Sequence, residues 1–323
     1  MRRRRSGRRI RITLKDVFDP REGIVGNWIR SAYKKFIVNY FAIYLVSFAF
    51  VSIVIIMASY RYYDEEFLKR VLAGAHGLIL NMLVLGIVVF WFTRKGQNIA
   101  EIERYREEIN NLRGLQTKEV SRQLRMLAVM LNKKGVSSID LSGCHFEDVN
   151  FDGFNFKESD FRGSNFDSVT FRDCNIIGAN FYSTLMNGVT FVDCGLTRSD
   201  FSDSRLEYVN FRTPYLKSIS FHNAFLNLVD LSWADLTNAS FTSARIEEVD
   251  FHNSNLEGAV FLWAKFKHAD DLTADQLSKS ETLHGAEFAP EFEVTLDSAQ
   301  LKALYPQLFE RPEWLPNRKP RYE

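Results

Sequence analysis

The side chains of this 323-residue sequence best suited to metal ligation, proton transfer or nucleophilic attack are six histidines, at 76, 145, 222, 252, 268 and 284, and three cysteines, Cys144, Cys174 and Cys194. They form no metal-ligand spacing, and thirty residues separate His222 from His252. No glycine-rich phosphate loop is present. The pattern therefore predicts no catalytic residue, no cofactor, no metal, no small-molecule substrate and no enzyme activity. His76 and Asn81 stand apart because they lie in the apolar run 71–93, where an ionisable group marks a functional site by default. The alternative is a neutral His76, hydrogen-bonded across to a neighbouring helix. Ala73 and Gly77 beside it make a small-xxx-small pair that allows close helix approach.

The elements that must position these residues follow from hydrophobic periodicity. From Leu141 through Phe146, Phe151, Phe161, Phe171, Phe181, Phe191, Phe201, Phe211 and Phe221 to Phe266, an apolar residue returns every fifth position for 26 consecutive units, and 15 of the 26 are Phe. Five matches neither the 3.6 of a helix nor the 2.0 of a strand, so 139–268 is a repeat architecture. The position two before each is small or apolar, and Val149, Val169, Val189, Val209, Val229 and Val249 occupy it at a spacing of twenty. Four units therefore close one coil. Coils stacked at the strand spacing make a rod of about 30 Å with the Phe columns as its core. All three cysteines fall on the small inward position, which reads as structural burial. Phe154 and Pro214 break the small-residue rule and invite local adjustment, with Pro214 expected at a corner.

Units such as ADLTN at 234–238 and SDFRG at 159–163 resemble the pentapeptide-repeat family. The resemblance implies an all-β, right-handed quadrilateral β-helix. It also implies one function: some members mimic duplex DNA and bind type II topoisomerases.

Outside the repeats, charge is uneven. Seven of the first eleven residues are Arg, whereas 139–268 holds 18 acidic against 10 basic residues, within a formal net charge of +1 that argues against a generic nucleic-acid binder. The expected organisation is a basic arm and interfacial segment (1–35), a two-helix transmembrane hairpin (36–97, spans 36–59 and 71–93), a helical connector (98–134), the β-helix (139–268) and a helical cap with tail (269–323). Both spans exceed the roughly 20 residues needed to cross the hydrocarbon core. Lys and Arg counts beside the spans place both termini and the β-helix in the cytoplasm of an integral, bacterial inner-membrane protein.

Within the connector, Ile99, Ile102, Ile109 and Leu112 form a narrow apolar stripe that reads as an oligomer seam, and Val120, Leu124, Leu127 and Leu131 read as a cap on the first coil. Thr117 and Thr273 are expected helix N-caps. Two functions are compatible with this organisation. One is a membrane-anchored scaffold presenting the β-helix to a cytoplasmic protein partner, whose basic surface would suit the acidic rod. The other is a homo-oligomeric membrane effector or pore, with the lipid bilayer as its partner. Topoisomerase binding ranks third.

Overall fold

The computed structural model describes residues 65–270, 272–289 and 298–315, together with positions 50, 53, 54 and 57. The chain divides into two compact units, Met1–Trp91 and Phe92–Glu323. Helix α1 spans Glu65–Leu112 and α2 spans Lys118–Lys133. The basic arm and nearly all of the expected first span, 36–59, lie outside the described residues.

The expected membrane placement is corrected. Among the described residues, no helix is long and apolar enough to cross a membrane. The apolar run 71–93 is one part of a 48-residue helix, interrupted by Gly74, His76, Gly77, Asn81 and Gly86 and flanked by Glu65, Glu66, Lys69 and Arg70 before it and Arg94 and Lys95 after it. The transmembrane hairpin, the inner-membrane localisation and the bilayer as partner lose their basis together. A hairpin-built pore goes with them.

From Asp140 onward the chain winds into coils of twenty residues. One face carries the parallel ladder of β1 (His145–Glu147), β3 (Asn165–Asp167), β5 (Leu185–Asn187) and β7 (Arg205–Glu207). The next carries β2 (Asn150–Asp152), β4 (Thr170–Arg172), β6 (Thr190–Val192) and β8 (Asn210–Arg212). Strands β9 (Phe225–Asp230) and β10 (Arg245–Asp250) run round the corner between these faces. The other two faces pair through single bridges, such as Asn155 with Asn175 and Asp160 with Asn180. Every pairing in 140–270 is parallel and in register at a spacing of twenty.

The register stacks like on like. Phe161, Phe181, Phe201, Phe221, Phe241 and Phe261 form one buried column with neighbouring ring centroids 4.6 to 5.6 Å apart, and Phe151, Phe171, Phe191 and Phe211 form another at 5.0 to 5.1 Å. Each buried ring contributes about 1.5 to 3 kcal/mol by the area it removes from water. Small inward positions that are polar are satisfied internally: the Ser164 hydroxyl donates to the Leu141 carbonyl (2.7 Å) and that of Ser199 to the Ile176 carbonyl (2.8 Å).

Turning a corner every five residues requires left-handed backbone. A positive φ recurs at every fifth position from Gly143 to Trp263 with one omission, Thr213. That residue precedes Pro214, and the proline ring disfavours compact backbone in the residue before it. Thr213 instead turns inward and is buried, its hydroxyl donating to the Cys194 carbonyl at 2.6 Å, while Pro214 is exposed.

Both ends of the ladder are covered. Helix α2, N-capped by Thr117 through the Val120 amide (3.2 Å), lays Leu124, Leu127, Ala128 and Leu131 on the first coil. At the far end β11 (Lys265–Phe266) and β12 (Ala269–Asp270) are followed by α3 (Ala274–Ser278), which opens with a complete Thr273–Gln276 capping box. The coil then completes one more turn, because β13 (Glu287–Phe288) pairs with β11 and Phe288 stacks on Phe266 at 5.1 Å. The spacing there is 22, the extra residues being taken up where α3 replaces a flat face. Helix α4 (Ser298–Leu304) and a 3-10 turn (Pro306–Leu308) close this end, with the Leu308 carbonyl accepting the Leu283 amide.

Candidate interaction surface

The residues singled out by chemistry take different places. Ala73, His76, Gly77 and Asn81 all lie on α1, and Asn81 is exposed. Of the connector stripe, Ile109 is buried in the same cluster as Leu124 and Leu131, Ile102 and Leu112 pack on that cluster partly buried, and Ile99 is 54% exposed. Phe146, Phe151, Phe161, Phe171, Phe181, Phe191, Phe201, Phe211 and Phe221 are fully buried. The three cysteines are free, buried thiols. Burial pushes Cys144 up to about 12, and contact with the Cys194 sulfur together with burial raises Cys174. A thiol held protonated is a poor nucleophile and metal ligand. His222 and His252 stand on opposite faces, and among the described residues no group of His, Cys, Asp or Glu could hold a metal ion.

What the coils do assemble is a surface row that no short motif announces. Leu185, Arg205, Phe225, Arg245 and Lys265 occupy equivalent outward positions on successive rungs. The Phe225 ring lies between two guanidinium groups, with Arg205 4.3 Å and Arg245 5.2 Å from its centroid. Each cation of the row also meets a carboxylate: Arg205 pairs with Glu207, Arg245 with Glu247 (2.7 Å) and Lys265 with Glu287 (3.1 Å), and Lys267 beside the row reaches Glu247 as well (3.8 Å). Such exposed pairs add little to stability. Their consequence is a patterned surface.

A groove of about 1270 Å³ follows this row, bordered on its other side by Tyr182, Asp203, His222, Asn223, Thr242 and Trp263. The Tyr182 hydroxyl and the Asn223 amide (2.5 Å) both donate to Asp203, which holds its carboxyl below the usual range. Trp263 sits against His284, with ring centroids 6.4 Å apart, and over Gly285, where an added Cβ would collide with the indole. Stacking rings, fixed cations and carboxylates alternate along the groove.

At the opposite end of the design, α2 supplies the hydrogen bonds that a preceding coil would have made. The Asn132 amide nitrogen donates to the Asn155 carbonyl (2.7 Å) and its oxygen accepts from the Asn155 amide (3.1 Å). Ser121 donates to the His145 carbonyl (3.0 Å) and accepts from the Glu147 amide (3.1 Å), and Arg125 donates to the Asn150 carbonyl. Their 121, 125, 132 spacing on the face that also carries Leu124 and Leu131 was the available signal.

Comparison with known proteins bears on the coils. A model described as pentapeptide repeat region matches 164–232, and one described as pentapeptide repeats (8 copies) matches 139–176, 215–253 and 244–270. No curated protein matches the chain. Among solved structures, it is similar to QnrB1, a plasmid-mediated fluoroquinolone resistance protein (16% identity over 50% of this chain and 84% of that one, TM-score 0.25). It is also similar to HetL, a pentapeptide repeat protein involved in heterocyst differentiation regulation from the cyanobacterium Nostoc (16%, 48% and 78%, 0.26). A third is a pentapeptide repeat protein from the Arabidopsis thaliana thylakoid lumen (23%, 50% and 77%, 0.18). At TM-scores this low nothing about function is drawn from them. The repeat matches and the twenty-residue register together show 139–270 to be a right-handed β-solenoid of pentapeptide repeats.

Proposed function

We propose that this chain is a non-enzymatic interaction scaffold whose solenoid offers the groove beside Phe225 to a protein partner. The observation that carries the reading is the groove itself, where Tyr182, Phe225 and Trp263 stand among paired cations and carboxylates. Protein interfaces enrich aromatic residues and Arg in this way, and a few such residues supply most of the binding energy. The solenoid supports the reading because its stacked core holds the surface rows at fixed spacing, so little ordering cost falls on binding.

The test is position-dependent capture in the native cell. A photo-crosslinking residue is placed at Phe225 or Thr242 in the groove and at Glu257 on the opposite face. One discrete adduct from the groove positions, absent at Glu257, is the expected result. Adducts that are the same from every face, or none from the groove, would overturn the proposal.

A further inference from the structure

Corner positions of the solenoid require positive φ, which strains an ordinary side chain and strains Asp, Asn or Gly less. Most corners comply, with Asp148, Asp173, Asp193, Asp203, Asn223 and Asn253 as examples. Four corners instead carry large apolar residues: Tyr208 (φ 54), Leu228 (φ 53), Trp233 (φ 61) and Trp263 (φ 54). Trp263 is accounted for by its packing on His284 and Gly285. The other three stay open to solvent, Tyr208 59%, Leu228 38% and Trp233 68% exposed, the last even with one edge of its indole against the His252 ring (centroids 5.8 Å apart).

These three residues are neighbours by register. Tyr208 and Leu228 stack on one corner, Trp233 occupies the next, and the face between them is the β8 ladder and its continuation in β9. Tyr215, 60% exposed, lies just past the irregular corner at Pro214. On the rungs from Thr190 to Asp250 of this face and its corners stand Asp193, Asp230, Glu248 and Asp250, against Arg212, with Arg172 on the rung before them. Asp230 and Asp250 are directly paired in register, so that two carboxylates stand side by side even as each accepts a turn amide, from Ser232 (3.0 Å) and His252 (2.7 Å).

We infer that this corner-and-face patch, adjacent to the Phe225 groove but turned onto the next face, docks a basic, leucine-containing protein segment, with Arg or Lys over the Trp233 and Tyr208 rings and leucines against Leu228. Backbone strain at exposed apolar residues favours neither folding nor solubility, so their joint presence on adjacent corners points to a bound partner. The acidic border sets the sign of that partner, and exposed indole and phenol rings add cation–π attraction for Arg and Lys. The inference rests on the scaffold reading but uses a separate face.

The experiment titrates the full-length chain into two fluorescent 15-residue peptides, one alternating Arg with Leu and one alternating Glu with Leu, and follows anisotropy. Saturable binding of the basic peptide alone is expected, weakened at least tenfold in Y208N/W233N and severalfold in D230N/E248Q. The same corner substitutions should leave the melting temperature unchanged or raised, because Asn accepts positive φ; a loss of binding that tracks unfolding would overturn the inference. So would equal binding of both peptides, no saturable binding of the basic one, or wild-type affinity in the corner variants. Self-association that disappears in Y208N/W233N would replace the basic segment with a second copy. Groove crosslinks at Phe225 that persist in Y208N/W233N separate failure of this patch from failure of the scaffold reading.

Discussion

Asp203 shows how a single groove residue is held. The Tyr182 hydroxyl and the Asn223 amide outweigh its partial burial and keep its carboxyl ionised to lower pH than usual. A carboxyl lowered by folding adds stability above its unfolded value of about 3.9, and that stability is lost as pH falls through the lower folded value. Tyr182→Phe should therefore raise the Asp203 titration midpoint toward 3.9 in a carbon-13 carboxyl NMR titration, with the acid-unfolding midpoint moving up as well. An unmoved titration would mean that Tyr182 does not govern the site. In the core, Phe191 lies between Phe171 and Phe211 at 5.0 and 5.1 Å, with no room to relax. Phe191→Ala should cost about 3–5 kcal/mol in urea unfolding. Phe201→Asp, burying an unpaired carboxylate, should yield no soluble native protein.

At the scale of elements, the ends decide whether a ladder of rungs stays closed. An open solenoid end is a row of unpaired amides and carbonyls that invites another strand. Asn132→Ala leaves the Asn155 amide and carbonyl without the partners that α2 supplies, and should cost about 1–3 kcal/mol. Deleting 118–133 should convert the protein to a concentration-dependent aggregate by light scattering. A monodisperse product would show that α2 is dispensable. The cap was only half legible in sequence. Leu124, Leu127 and Leu131 announce a buried stripe, but Ser121, Arg125 and Asn132 look like ordinary solvent-facing polar residues until the edge of a coil lies against them. The last turn was hidden for a different reason. Leu283 and Phe288 fall out of step because α3 lengthens that coil to 22 residues, and a strict count of five stops at Phe266.

For the molecule as a whole, the coil period was readable because every inward side chain faces the same environment, so the same residue types recur at the same interval. The groove was not, because Arg205, Phe225, Arg245 and Lys265 are twenty residues apart and look unrelated until the rungs stack them. The helical region misled for a reason of context. The run 71–93 has the composition of a membrane segment, yet it is carried inside a 48-residue helix, and among the described residues no helix meets the length and apolarity of a span. The cysteines give a further check on the solenoid. Cys144, Cys174 and Cys194 should resist a thiol reagent in the native protein and react only on unfolding, and rapid native labelling would contradict their burial.

The omitted corner at Thr213 shows that a single proline can be absorbed without loss of register, but lengths are another matter. Gain or loss of twenty residues would leave every column intact and simply lengthen or shorten the rod. Gain or loss of five would also preserve the buried core, because each unit presents the same inward pair. It would nevertheless rotate everything downstream by a quarter turn, carrying Trp233 away from Tyr208 and Phe225 away from Arg205. Such a protein would fold without the groove and the corner patch described above. Sequence change in this architecture is therefore quantised twice, in fives for folding and in twenties for the surface.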